Sequence, residues 1–324
     1  MPCATRPYPA FEEIESYLQS LSHRETGRAT LAVEGRSPQD RPVYSISLTD
    51  PDAPAEDKQN VLLSCVHSSE RSAVAVLFAV MDWLLSSDSA AEEVMRRQRI
   101  ICLPMVNPDG YVAGKLGLNQ KARDGILYNG WDAKGVSKPG DAPEAVSLQR
   151  VIDRWQPDMY ADVHGISLNC ENQLMMESSA SSPSRITNRP YRQQIARLMD
   201  QAALEGGFPS DFQEDDREVL FGDRSIDLIK TKLWPGRAGW SPGLYAYDRY
   251  HTLHVLMEIT WQRSGLLRFQ RLLRIGNEQW DGEPCPGYPN RVAFAAGMYQ
   301  MIAAYGRNDG QRRASRVELW NRHH

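Results

Sequence analysis

The chain has 324 residues, of which 41% are hydrophobic and 24% charged, so it can bury a large core like an ordinary globular protein. A formal net charge of −4 with no basic block excludes an electrostatic footprint for nucleic acid or an anionic membrane, and no apolar run is long enough to span a bilayer. The first residues show no basic segment followed by an apolar one, so no secretory signal is read and a cytoplasmic location is expected. Five scattered cysteines (Cys3, Cys65, Cys102, Cys170 and Cys285) without a CxxC pair agree with a reducing compartment.

In chain order, Phe11, Ile14, Tyr17, Leu18 and Leu21 recur at helical spacing and predict a helix over 10–21. Residues 29–35 and 41–50 read as two strands about the polar turn RSPQD, an antiparallel pair for a sheet edge. After a polar, proline-containing connector, VLLSCV at 61–66 is apolar without alternation, as a strand covered on both faces requires. The period then changes: Val74, Leu77, Phe78, Met81, Leu84 and Leu85 predict a helix from about Ser72. His67-Ser68-Ser69-Glu70 is therefore a tight link at the carboxyl end of a buried strand, where open α/β sheets place their ligands. A histidine and a carboxylate three residues apart in such a turn can converge on one metal ion. Zinc accepts this pair, and a catalytic zinc site adds a third protein ligand, expected at another strand end.

A short helix at 90–98 and a buried strand at 99–106 follow, the latter running into Asn107-Pro108-Asp109-Gly110-Tyr111, whose proline and Asp-Gly predict a turn. No periodicity is visible from there to about Ala142. Pro143 and Glu144 open a helix over 143–155, and DMYADVHG at 158–165 reads as a strand that ends in His164-Gly165, the position of the sought third ligand. A polar loop, a helix over 188–206 and an irregular stretch over 207–250 lead to TLHVLMEIT at 252–260, an apolar strand with a single acid, Glu258. Buried there, that carboxylate needs a partner, a raised pKa or an exposed strand end. Helices are expected over 262–279 and 290–305, then a charged, mobile tail.

The order of CVHSSER, MVNPDGY, DVHG and LMEIT resembles that of the zinc carboxypeptidase family, the funnelins: a strand followed by HxxE, a strand running into NPDG, a later strand-end histidine, and a last strand bearing glutamate. The resemblance spans roughly residues 58–275. It implies one Zn2+ per chain, held by His67, Glu70 and His164, with Glu258 as general base. It also implies an arginine after the NPDG motif that meets the charge developing on the carbonyl oxygen; Gln120 stands at that place and Arg123 is the nearest candidate. The family's GVDLNRNF corresponds to residues 125–132 of this chain, which keeps Asn129 for substrate binding but has Gly130 where an arginine grips the substrate's terminal carboxylate. Glycine cannot replace a bidentate Arg–carboxylate clamp.

The residue patterns alone indicate an α/β protein. The resemblance adds a single domain, over residues 1–310, with a mixed central β-sheet flanked by helices on both faces and with 311–324 as the tail. The expected function is carboxypeptidase-like, zinc-dependent hydrolysis of amide or peptide bonds. The alternatives are a deacylase or amidase acting on a small molecule or cell-wall fragment, and a non-catalytic binding module. The expected partner is a peptide or amide-containing substrate, with no nucleic acid and no membrane; the sequence leaves the oligomeric state open.

Overall fold

The structure, a computed structural model, describes residues 8–114, 131–132, 135–136, 142–165, 189–208, 242–250, 252–259, 261–280 and 287–289. Helix α1 (Phe11–Arg24) leads into strands β1 (Ala29–Arg36) and β2 (Pro42–Leu48). Then come β3 (Gln59–Ser64), α2 (Arg71–Leu84), α3 (Ser89–Arg97), β4 (Gln98–Leu103) and the short α4 (Pro108–Ala113). A two-residue ladder, β5 (Trp131–Asp132) with β6 (Gly135–Val136), precedes α5 (Pro143–Trp155) and β7 (Met159–His164). The remaining described elements are α6 (Arg189–Glu205), α7 (Pro242–Tyr250), β8 (Leu253–Glu258) and α8 (Gln262–Ile275).

Six strands form one mixed sheet in the order β1-β2-β4-β3-β7-β8. The pairs β4–β3, β3–β7 and β7–β8 are parallel, whereas β1–β2 and β2–β4 are antiparallel. The apolar runs without alternation explain the parallel centre. Val61, Leu62 and Leu63 of β3 and Ile100 to Leu103 of β4 are fully buried, because helices cover both sheet faces. Alternate residues of each strand feed different cores. One face joins Val61, Leu63, Ile100, Cys102, Met159, Ala161 and Val163 to α1, α2, α3, α6 and α8; the other joins Leu62, Ile101, Leu103 and Tyr160 to α5 and α7. Each fully buried Leu, Ile or Phe contributes roughly 1.5–3 kcal/mol, and α8 supplies Phe269, Leu272 and Leu273 in this way.

The chain order reverses at β3. It runs from β3 through α2 and α3 to β4 on one side, then returns through α5 to β7 on the other. Such a reversal opens a crevice at the carboxyl ends of the central strands.

Most predicted elements are found within one to three residues of their expected ends. Two differ in kind. The NPDG segment is a short helix instead of a simple turn, because Asn107 caps it by accepting from Gly110 N–H at 2.8 Å, Pro108 suits its first turn, and Gly114 ends it in the left-handed conformation. Residues 242–250, expected to be irregular, form α7, whose Tyr245 and Ala246 are buried against the sheet. The expected helix over 290–305 and the tail over 311–324 lie outside the described residues. Cys65 and Cys102 are buried thiols outside any disulfide, as their apolar settings suggest. Among the described residues no single helix is long and apolar enough to cross a membrane.

Candidate metal centre

Two adjacent strand ends are laced together before any site residue is placed. After β3, Cys65 N–H donates to Leu103 O and Cys65 O accepts from Val106 N–H, both at 3.2 Å. Ser68 Oγ donates to Cys65 O at 3.0 Å and accepts from Asn107 N–H at 2.9 Å. The HxxE turn and the NPDG helix therefore share one hydrogen-bond network. Asp109, 1% exposed, ties the NPDG helix in turn to the β1–β2 turn. Its carboxylate accepts from Ser37 Oγ at 2.7 Å, Arg41 Nη1 at 2.6 Å and Gln39 N–H at 3.0 Å.

On this base His67, Glu70 and His164 converge, their ligand-capable atoms all within 4.8 Å of one another. Glu70 Oε1 lies 3.2 Å from His67 Nδ1 and Glu70 Oε2 lies 3.2 Å from His164 Nδ1. The two imidazole rings stand edge to face, 4.5 Å apart at 88°. Nitrogen and oxygen ligands at 2.0–2.2 Å around a tetrahedral zinc are separated by about 3.3 Å, which the two histidine–carboxylate contacts match, and the residue types are ones that zinc accepts. His67 and Glu70 are presented by the β3–α2 turn and His164 by the last residue of the neighbouring β7.

The electrostatics suit a cation. Burial by itself would raise the Glu70 carboxyl, but hydrogen bonds from His164 and His67 and their positive charge outweigh it and bring the carboxyl down to about 2. Burial likewise opposes a charged His164, and Asp162 and Glu70 overcome it, holding the imidazole well above its ordinary range. Ligand nitrogens must be free of protons to bind a metal, so a divalent ion here would compete with protons for His67 and His164.

The rest of the predicted site is placed in part. In the β7–β8 ladder Glu258 is in register with His164, and Ile259 N–H donates to His164 O at 2.8 Å. Of Glu258 the backbone alone is described. Arg123 and Asn129, like Gln120 and Gly130, lie outside the described residues.

The structure adds two residues that the sequence reading did not single out. Gly165 N–H donates to Glu70 Oε2 at 3.0 Å, and a Cβ at Gly165 would fall 2.0 Å from Ser72 Oγ and 2.8 Å from Ile259 O. A side chain there would push α2, and Glu70 with it, away from β7. Asp162, 1% exposed, places Oδ2 at 3.1 Å from His164 Nε2. A signal for it was present in DVHG, since residues two apart in a strand share a face.

Comparison with known proteins agrees with the motif reading. The family model described as zinc carboxypeptidase matches residues 14–132, which include His67 and Glu70 but stop short of His164 and Glu258. Cytosolic carboxypeptidase 3 of Mus musculus is 25% identical over 205 residues, covering 62% of this chain and 19% of the relative. Its Bos taurus counterpart is 24% identical over 206 residues, with the same coverage. The chain thus spans about a fifth of the length of these curated relatives. Among solved structures, a metallo-carboxypeptidase from Burkholderia cenocepacia superposes with a TM-score of 0.58 at 18% identity, over 82% of this chain and 68% of the other. A metallo-carboxypeptidase from Pseudomonas aeruginosa does so with a TM-score of 0.58 at 16% identity and the same coverage. The mixed sheet with helices on both faces is the fold of these metallo-carboxypeptidases, and the sequence resemblance to zinc carboxypeptidases is borne out.

Proposed function

We propose that this chain, with its zinc carboxypeptidase resemblance and fold, is a zinc-dependent hydrolase of amide or peptide bonds. In this reading His67, Glu70 and His164 hold one zinc ion and Glu258 is the general base. The observation that carries the proposal is the approach of His67 Nδ1 and His164 Nδ1 to the two oxygens of one buried carboxylate, each at 3.2 Å, at the carboxyl end of the sheet. Zinc there supplies a Lewis acid that polarises a carbonyl and acidifies a water molecule.

The chain's own residues divide the remaining work. Glu70 cannot serve as the base, because a carboxyl at about 2 with both oxygens engaged has little proton affinity. Glu258, which β8 brings into register with His164, takes the proton of the attacking water and passes it to the leaving amine. Arg123 is assigned the charge that develops on the carbonyl oxygen, and Asn129 a contact with substrate. Gly130 leaves no arginine at the place where the family grips a free terminal carboxylate. Substrates are therefore sought among peptides whose end group is read by another residue, cell-wall fragments, and acylated or amidated small molecules. The reduced thiols of Cys65 and Cys102 and the cytosolic naming of the matched relatives support a reducing, cytosolic location.

The test is zinc content by elemental analysis on protein purified without a metal-affinity column, for wild type and His164→Ala. The expected result is about one zinc per wild-type chain and loss in the variant; equal zinc content in both would rule the site out. Glu258→Gln is expected to retain zinc while turnover on any substrate the wild type cleaves falls by about 10²- to 10⁴-fold.

A further inference from the structure

We infer that Asp162 is a positioning residue for His164, directing its Nδ1 toward the metal, and that Ser64 and Tyr160 aim Asp162. The inference rests on the metal-site reading above and deepens it. The two ring nitrogens of His164 face different carboxylates: Nδ1 is 3.2 Å from Glu70 Oε2, and Nε2 is 3.1 Å from Asp162 Oδ2. A neutral imidazole carries one proton, and a nitrogen that binds a metal must be free of it. With Nδ1 directed at the metal, the proton sits on Nε2 and is donated to Asp162. A carboxylate on the far nitrogen thus selects the tautomer and fixes the ring plane.

Asp162 is itself held. Burying a carboxylate at 1% exposure is costly unless its oxygens are satisfied. Strand β3 lies beside β7 in the register Leu62↔Tyr160 and Ser64↔Asp162. Ser64 Oγ donates to Asp162 Oδ1 at 3.3 Å and lies 2.7 Å from Tyr160 Oη. Ser64 has one hydroxyl proton and gives it to Asp162, so the proton between the two hydroxyls comes from Tyr160. The chain of donors runs Tyr160 to Ser64 to Asp162, and from the opposite side His164 to Asp162. One Asp162 oxygen is occupied by β3 and the other is left for the imidazole. Ser64 and Tyr160 are fully buried, in the core between the sheet and α5 and α7, where solvent does not compete for these bonds.

This arrangement makes Asp162→Asn informative. Ser64 would donate to the amide oxygen, turning the amide NH2 toward His164 Nε2. That nitrogen would then have to accept, moving the ring proton to Nδ1, where it blocks the metal. Zinc affinity, measured by chelator competition on full-length protein, is expected to weaken about 10- to 100-fold, while the zinc-free variant unfolds cooperatively near the wild-type midpoint. Wild-type affinity in a folded Asp162→Asn protein would overturn the inference without touching the metal site.

Nitrogen NMR of zinc-loaded wild type, with His164 assigned by its absence in His164→Ala, gives a readout that needs no Asp162 variant to fold. A proton on Nε2 is expected, and a proton on Nδ1 overturns the role of Asp162. Wild-type protein that takes up no zinc would defeat the metal-site reading, and this inference with it.

Discussion

Helices α2 and α5 each begin beside a buried glutamate, and the two carboxyls are shifted in opposite directions. Glu70, just before α2, is 8% exposed; against the effect of burial, His164 and His67 bring it down to about 2, and one of its oxygens also accepts from Gly165 N–H. Glu144, the second residue of α5, is fully buried, and among the described residues its carboxyl oxygens meet no partner beyond its own backbone N–H. Burial pushes it up to about 8, with the Asp109 charge adding to the effect. Both helix starts should favour an anion, so neither helix position nor burial decides the charge. The partners supplied by another strand do: β7 delivers His164 and Gly165 to α2, and among the described residues nothing comparable reaches Glu144.

The contrast can be broken most completely at Glu70. Glu70→Gln removes a charged ligand and the counter-charge of both histidines, and zinc content should fall from about one per chain to near zero. Retention of a full equivalent of zinc would show that the carboxylate is dispensable. Gly165→Ala attacks the same helix start by steric means, since the Ile259 carbonyl at 2.8 Å from the added Cβ is backbone and cannot turn away. A loss of about 3 kcal/mol in denaturant unfolding is expected, together with weaker zinc binding because Glu70 moves with α2.

Glu144→Gln tests the other helix start through pH. Below about pH 4.5, the ordinary value for this group, the native and unfolded chains both hold its proton. Between there and about 8 only the native chain holds it, so wild-type stability should fall as pH rises, by on the order of 5 kcal/mol, and level off above. Glutamine should remove that slope, leaving the variant more stable than wild type above pH 8. Unfolding midpoints at pH 5, 7 and 8.5 would decide, and parallel curves for the two proteins would mean that Glu144 does not titrate this way. The smallest effect is expected at Arg41→Ala, which strips one donor from the buried Asp109 while Ser37 and Gln39 remain. Because Arg41 is partly solvated, the cost should be about 1–2 kcal/mol, read as a lower unfolding midpoint with zinc content unchanged.

Much of the fold was legible because burial on two faces leaves a plain trace. A run such as VLLSCV followed at once by helical spacing from Val74 admits a strand, a turn and a helix in one order only. The candidate donor set was legible for a related reason, as strand ends are where a parallel sheet exposes side chains to a crevice, and His67, Glu70 and His164 converge there. The NPDG helix was not read, because its start depends on Asn107 accepting from Gly110, a bond that competes locally with the turn the same residues favour. Helix α7 was missed because Tyr245 and Ala246 gain their burial from the sheet and α5, remote in sequence.

The sequence by itself determined the α/β class, the antiparallel edge and the candidate donor set, since these follow from periodicity and residue chemistry along the chain. Only the tertiary structure decided the 3.2 Å spacing of those donors, the opposite shifts of Glu70 and Glu144, and the pairing of Asp162 with His164. Each depends on which strand lies beside which, and that register is set by the packing of the whole sheet.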